Sequence, residues 1–249
     1  PPLDFYPKEP DHDEEPIIES GMPFDVSGVD LNTPPGFVGT LAAWMETRNR
    51  RPRKRLSVAT ALSAVSNVMG LRYADARDGV TPNLFVVCVA GSRTGKEGVN
   101  QSIIDVHRKA GIALATHGAI KSEQEVIRNL IDHQPALYVL DEIGIQLQKI
   151  RNAQKKGSAH HLEGVIGILM SAYSKADGYM PVSGDIMRGL REDYKRELSQ
   201  LEKLDQEKWV EERIAVIQAA LSDPEPGLKN PYLSIIGFTT PVTFDDIMD

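Results

Sequence analysis

The chain has 249 residues, of which 41% are apolar and 25% charged, as in an ordinary globular protein with a sizeable core. Its single cysteine excludes a disulfide framework and a cysteine-based metal site, and it fits a reducing cytosol. No apolar run approaches the length of a membrane span and no signal segment opens the chain, so we expect a cytoplasmic protein with no membrane partner.

The net charge of −7 is concentrated at the N-terminus. Residues 1–35 carry nine acids against one base, a balance of −8, so the other 26 acids and 27 bases sum to +1. This stretch is rich in proline and lacks periodicity, which predicts an acidic linker. Because the sequence does not begin with Met, we expect the linker to follow an upstream domain. The overall acidity does not exclude contact between the folded body and nucleic acid.

A helical lead-in is predicted over residues 36–79. Apolar residues three or four apart predict one helix over 36–51 and a second over 56–70, with Pro52 between them. The densest basic cluster of the chain lies at this junction and consists of Arg48, Arg50, Arg51, Arg53, Lys54 and Arg55. It fits either a solvated turn or a sequence-independent contact with a nucleic-acid backbone. No aromatic residues interleave the cluster, so a base-stacking platform is not indicated.

The most informative stretch is residues 81–100, TPNLFVVCVAGSRTGKEGVN. An apolar strand at 84–89 runs into a turn of small residues and then into a helix over 98–111. Such a turn directs backbone N–H groups at an anion, and the helix N-terminus adds partial positive charge. The pattern matches a phosphate-binding loop, in which Lys96 reaches the outer phosphates. The predicted phosphate-binding residues are Ala90, Gly91, Ser92, Arg93, Thr94, Gly95, Lys96 and Glu97.

Glu97 departs from this pattern, because Ser or Thr normally follows the lysine and binds Mg²⁺. A glutamate can hold the metal directly or through water, but it also places a negative charge near the phosphates. Normal hydrolysis is therefore in question. A glycine-rich strand-to-helix turn with a chance lysine is the structural alternative.

Farther along, residues 112–115 predict a short strand, and Ser122 with Glu125 predicts a helix that starts with a capping box. Residues 136–140 are wholly apolar, which is typical of a central parallel strand. This strand delivers Asp141 and Glu142, and in phosphate-loop NTPases an acid at this point holds Mg²⁺. We assign Asp141 and Glu97 to the metal and Glu142 to the attacking water.

In the last third, helices over 143–150 and 162–173 flank a polar stretch that predicts a mobile loop. Residues 186–221 repeat apolar positions at three and four with charges between them, which predicts a long charged helix or helical hairpin projecting from the domain. Its function is either structural or that of a lever or subunit contact. A final strand over 232–240 ends in Thr239 and Thr240. Either threonine could sense the γ-phosphate, or the strand could simply end there.

The alternation of strands and helices predicts an α/β fold with a parallel sheet and helices on both faces. We divide the chain into the linker (1–35), the lead-in (36–79) and a core (80–249), with the charged segment as an insertion.

The AGSRTGK turn, the YVLDEIG strand and SIIGFTTP, together with the lead-in, resemble the P-loop ATPase module of phage and mobile-element primase-helicase proteins. The resemblance covers about residues 36–245. It implies a RecA-like or AAA-like core with Walker A and Walker B motifs, ATP and Mg²⁺ as ligands, a homo-oligomeric ring, and hydrolysis coupled to DNA, foremost single-stranded DNA, during replication in a bacterial or phage-infected cell. By position, Lys96 would bind phosphate, Asp141 the metal and Glu142 the water, with Thr239 or Thr240 as sensor. In that family the lead-in helices are ordinarily packing elements.

Ring NTPases usually take an arginine from a neighbouring subunit to stabilise charge on the γ-phosphate. Arg188 and Arg191 are candidates, and the sequence does not choose between them. The leading hypothesis is an ATP-driven DNA helicase or related motor. A DNA-packaging motor and a catalytically degenerate scaffold that binds nucleotide without turnover are the alternatives, and Glu97 is the main support for the scaffold.

Overall fold

The structure is a computed structural model that describes residues 30–49, 51–92, 94–156, 160–205, 207–223 and 227–248, with no side-chain placement at 150, 152–156 and 160–163. The predicted linker up to residue 29 lies outside this description, as do Arg50 and Arg93.

Helices account for most of the described chain. The α-helices among the described residues are α1 (Gly36–Thr47), α2 (Lys54–Met69), α3 (Lys96–Lys109), α4 (Glu123–Asp132), α5 (Ile143–Lys156), α6 (His160–Ser174), α7 (Gly184–Leu201), α8 (Lys208–Ser222) and α9 (Pro241–Met248). The strands are β1 (Phe85–Val89), β2 (Thr116–His117), β3 (Ala136–Leu140), β4 (Tyr179–Pro181), β5 (Gly227–Lys229) and β6 (Leu233–Thr239).

The central sheet has four parallel strands in the order β1-β6-β3-β2. The last strand in the chain, β6, therefore lies between β1 and β3, and pairs Thr239 with Val89 on one side and Gly237 with Leu140 on the other. Strands β4 and β5 form a separate antiparallel ribbon. Helices cover both sides of the sheet, so the predicted α/β class with a flanked parallel sheet is confirmed.

The two sides of the sheet bury separate apolar cores. We call the side covered by α1, α2 and α3 the lead-in face, and the side covered by α4 to α8 the hairpin face. Side chains of β3 and β6 alternate between them, as the period of a strand requires. The lead-in face receives Leu137, Val139, Ile236 and Phe238, and the hairpin face receives Ala136, Tyr138, Leu140, Leu233 and Ile235.

The charged segment near residues 186–221 is a helical hairpin of α7 and α8, but it packs against α4 and does not project as predicted. The reason is that its apolar stripe is buried, with Leu190, Tyr194 and Ile217 no more than 2% exposed. Its charges are also used in the packing, since Arg213 on α8 reaches Asp132 on α4 at 3.0 Å.

Several local elements differ in position from the predicted ones. Residues 113–115 form a 3-10 turn, and the short strand follows at Thr116–His117. Helix α5 continues to Lys156 through a stretch predicted to be a loop, while residues 157–159 lie outside the described residues. The capping box is present in modified form: Ser122 Oγ accepts from Glu125 N–H, but the Glu125 carboxylate accepts from Lys121 N–H, one residue earlier than expected. Within the described part of the chain, no helix combines the length and apolar character needed to cross a bilayer.

Candidate functional site

The glycine-rich turn, residues 90–96, joins β1 to α3. Ala90 N–H donates to the Thr239 carbonyl at 3.0 Å, so pairing with β6 continues to the start of the turn. Thr94 Oγ1 closes the turn by donating to the Gly91 carbonyl at 2.6 Å. Gly95 then takes a φ of +97°, a left-handed value that favours glycine. The described part of the glycine-rich turn is therefore compact, and α3 begins directly after Gly95.

Lys96 is the first residue of α3 and is half-buried. No side chain caps this helix. Gly98 N–H donates to the Gly95 carbonyl at 3.2 Å, and the N–H groups of Lys96 and Glu97 remain available to an anion. Within the described residues the Lys96 ammonium has no hydrogen-bond or ion-pair partner. The start of α3 therefore presents a free ammonium beside uncapped N–H groups.

The two acids predicted at the end of β3 lie in the same cleft as this lysine. Asp141 and Glu142 are both exposed, and Asn100 on α3 donates its Nδ2 to Asp141 Oδ1 at 3.4 Å. The cleft has a volume of about 960 Å³ and is lined by Lys96, Glu97, Asp141 and Glu142 together with Ser92, Thr94 and Gly95 of the turn, whereas Ala90 and Gly91 line a neighbouring groove. The structure thus brings together these four predicted site residues.

The cleft fits a nucleotide and Mg²⁺ on the chemistry of its donors. Its volume lies within the range of small-molecule sites. Among the described residues, no group of three or more His, Cys, Asp or Glu is arranged to hold a metal by itself. Mg²⁺ is commonly held by one or two carboxylates and by phosphate oxygens of the ligand. Asp141 and Glu97 would supply the carboxylates, and a bound phosphate chain the remaining oxygens.

The two predicted sensor threonines do not line this cleft. Thr239 is fully buried, and its hydroxyl lies 2.2 Å from the position that a Cβ on Gly144 would take, so it faces the start of α5. Within the described residues this hydroxyl has no hydrogen-bond partner. Thr240 caps α9, because its Oγ1 accepts from Thr243 N–H at 3.3 Å. Of the two, Thr239 has the unpaired hydroxyl, but that hydroxyl is buried beside Gly144 and outside the cleft.

The two arginines considered for a neighbouring subunit both lie on α7, which contributes no residue to this cleft. Arg188 pairs with Asp185 at 3.1 Å and is exposed. Arg191 donates to the Asp223 carbonyl at 2.5 Å. Arg188 is the more accessible of the two for contact with another molecule.

Sequence reasoning missed one wall of the cleft. The connection between α1 and α2 lies over the glycine-rich turn, and Arg48, Asn49 and Arg51 line the same cleft as Lys96. Arg53 Nε donates to the Thr94 carbonyl at 3.2 Å. The basic cluster was a visible signal, but nothing in its spacing indicated which part of the molecule it would contact.

Comparison of the chain with protein-family models finds no match, and comparisons with curated proteins and with solved structures find none either. The function must therefore be inferred from the cleft itself.

Proposed function

We propose that the chain is an ATP-binding and ATP-hydrolysing motor module of the P-loop class, acting on DNA as a helicase or helicase-like ATPase of a phage or mobile element. One observation carries the proposal. A parallel strand, a compact glycine-rich turn and an uncapped helix beginning at Lys96 share a cleft with Asp141 and Glu142 at the end of a second parallel strand.

Each residue has a role that follows from its position. Lys96 and the free N–H groups of α3 bind the phosphate chain, because both present positive charge to the cleft. Asp141, oriented by Asn100, would hold Mg²⁺ with Glu97, and the ion would supply positive charge against the phosphates. Glu142 has no side-chain partner in the described part of the chain, which leaves it available to orient a water and accept its proton.

Strand order supports this arrangement. Because β6 separates β1 from β3, the glycine-rich turn and the acids sit about two strand spacings, or ~10 Å, apart. That gap leaves room for a phosphate group and a metal between them. Coupling to DNA and assembly into a ring are supported by the resemblance of AGSRTGK, YVLDEIG and SIIGFTTP to the corresponding motifs of primase-helicase ATPases.

A nucleotide-binding scaffold without turnover is the second candidate, and the position of Glu97 favours it. Glu97 is exposed and lines the cleft with Asp141 and Glu142, so it adds a third carboxylate to a cleft that Lys96 and two arginines also line. Without a metal, the negative charge of Glu97 opposes that of a phosphate chain.

The test is ATP turnover by the purified chain with Mg²⁺, with and without single-stranded DNA. We expect turnover that DNA stimulates, loss of binding in Lys96→Ala, and loss of turnover with retained binding in Glu142→Gln. Lys195→Ala and Glu211→Gln are matched controls, because both residues are exposed on the hairpin face.

The possible outcomes separate the two candidates. Binding without turnover in the native chain, with turnover restored in Glu97→Ser, would favour the scaffold. Absence of nucleotide binding, or equal binding in Lys96→Ala and Lys195→Ala, would contradict both.

A further inference from the structure

The connection between α1 and α2 packs directly on the phosphate-binding elements. We call Arg48, Asn49, Arg51, Pro52 and Arg53 the basic turn. A Cβ added to Gly98 would lie 2.0 Å from Asn49 Oδ1, and one added to Gly95 would lie 3.3 Å from the Arg51 carbonyl oxygen. Two glycines of the loop and helix therefore allow the basic turn to approach closely.

Two side chains of the basic turn have unused hydrogen-bonding capacity at the cleft. Both polar atoms of the Asn49 amide are buried and have no partner within the described residues. Buried polar groups are nearly always paired in proteins, so an amide unpaired at both ends beside a cleft has donors and an acceptor to offer a ligand. The Arg51 side chain is exposed and has no ion-pair partner in the described part of the chain.

The basic turn is also held in place. Arg48 Nη2 donates to Asp105 Oδ2 on α3 at 2.6 Å, and its guanidinium lies over the Trp44 ring at 5.1 Å. Asp105 accepts a second hydrogen bond from Gln101 at 3.2 Å. That bond and the nearby arginines keep the pKa of Asp105 below its ordinary value, so it stays charged. Asn49 and Arg51 thus belong to an anchored wall.

We propose that the part of the basic turn that lines the cleft, Arg48, Asn49 and Arg51, is a second, nucleotide-recognising wall of the site. Arg51 binds the phosphate chain opposite Lys96, and Asn49 hydrogen-bonds the nucleoside. This inference rests on the proposed function. A guanidinium pairs with phosphate oxygens through two parallel N–H groups, and a carboxamide offers both donors and an acceptor to a base edge or a ribose hydroxyl. The lead-in would then be part of the binding site as well as a packing element.

The basic cluster itself supplies a matched control. Arg53, Lys54 and Arg55 line a different groove, of about 440 Å³, on the other side of the glycine-rich turn. Lys54 is exposed and follows Arg51 by three residues, but it does not line the cleft of Lys96. Lys54→Ala therefore removes the same charge from the same region without changing the proposed wall.

The experiment is calorimetric titration, with Mg²⁺, of a non-hydrolysable ATP analogue and of inorganic tripolyphosphate, which carries the phosphate chain without the nucleoside. We expect Arg51→Ala to weaken both ligands about tenfold, the size of one charge-assisted hydrogen bond. Asn49→Ala should weaken the ATP analogue by about fivefold, as for one neutral hydrogen bond, and leave tripolyphosphate unchanged. Lys54→Ala should change neither ligand by more than about twofold.

The results distinguish failure of this inference from failure of the proposed function. Binding that Lys96→Ala abolishes but Arg51→Ala leaves intact, or that Lys54→Ala weakens as much as Arg51→Ala, overturns the inference alone. Equal weakening of both ligands in Asn49→Ala overturns the nucleoside contact. No binding by the native chain overturns the proposed function and this inference with it. Thermal unfolding of each variant checks that the fold is retained.

Discussion

The two faces of the sheet differ in whether prominent buried polar side chains have partners. On the hairpin face the charges that join α4, α7 and α8 are paired: Arg213 contacts Asp132 at 3.0 Å and Glu197 at 2.7 Å. Tyr194 donates its hydroxyl to the same Asp132 at 2.7 Å. On the lead-in face, by contrast, Asn67 is fully buried, and neither of its amide atoms has a partner among the described residues.

This difference distinguishes polar groups that are paired within the fold from polar groups that are free to bind a ligand. A completed ionic network favours a single packing arrangement and has little capacity left for a ligand. The lead-in face carries the cleft, the free Lys96 ammonium and the unpaired Asn49 amide, so these two groups are available for binding. We therefore expect changes on the hairpin face to act on stability and changes at the cleft wall to act on binding.

The largest effect should come from breaking the hairpin network. Arg213→Met would remove one of the two arginines that bridge Asp132, whose side chain is 8% exposed, and Glu197; the one that remains, Arg128, is the more exposed of the two. Removing one member of a buried ion pair costs about 4 kcal/mol, which urea denaturation would report as a lower free energy of unfolding. Nucleotide affinity should not change.

Arg196→Met is the control for this change, because Arg196 is exposed and pairs with Asp193 within one turn of α7. The loss there should stay below about 1 kcal/mol. Equal losses in the two variants would show that the network does not organise the hairpin face.

A pH effect of intermediate size is expected on the lead-in face. His107 is fully buried, and burial lowers its pKa from 6.5 to about 4. Between these values the unfolded chain binds a proton that the folded chain excludes, so the free energy of unfolding falls as the pH falls. The loss over this window is about 3 kcal/mol.

Urea midpoints at pH 6.5, 5 and 4 would measure this slope in the native chain and in His107→Gln. The variant should lose most of it. A smaller slope of the same sign should remain, because burial also lowers the pKa values of His117 and His133. An unchanged slope in His107→Gln would contradict the assignment.

The smallest effect on stability is expected at the contact between α3 and the basic turn. Gly98→Ala places a methyl group 2.0 Å from Asn49 Oδ1 and 3.5 Å from the Arg48 carbonyl. The Asn49 side chain can move aside, so unfolding should lose only about 1 kcal/mol. Affinity for the ATP analogue should fall as it does in Asn49→Ala, because the Asn49 side chain leaves its position at the cleft.

Gly167→Ala on α6 is the matched control, because no atom lies within 4 Å of the added Cβ. Replacing a helical glycine there should stabilise the fold by up to about 1 kcal/mol and leave binding unchanged. A loss of stability in Gly98→Ala comparable with that of Arg213→Met, without a change in affinity, would remove the distinction between the two faces.

The sequence predicts the buried strands better than the short or peripheral ones. Strands β1, β3 and β6 are apolar runs, and each begins and ends within one residue of its predicted bounds. Strand β2 has only two residues, Thr116 and His117, and neither gives an apolar signal. The ribbon strand β4 was missed because three residues ending in Pro181 show no periodicity. Helix α9 did carry a signal, a capping threonine followed by Pro241 at the first helical position.

For the candidate site, local sequence motifs predict which residues can bind a ligand. Tertiary contacts then decide which of these residues lie in the same cleft. Asp141 and Glu142 directly follow β3, and Lys96 follows the turn after β1, so the parallel topology brings them to the same edge of the sheet. Asn49 could not be predicted, because its place depends on how α1 packs against α3. Thr239 was expected in the cleft, but the local direction of β6 turns its hydroxyl toward Gly144.

The placement of β6 also determines when the cleft can exist. Leu84 N–H donates to Ser234 Oγ across 150 residues of sequence, and β6 is the only connection between β1 and β3 in the described sheet. A growing polypeptide makes the glycine-rich turn and the acids early, yet it cannot set the distance between them until residues 233–239 leave the ribosome. The proposed site therefore becomes competent only after β6 has been synthesised, and nascent chains that lack β6 would not compete for the ligand.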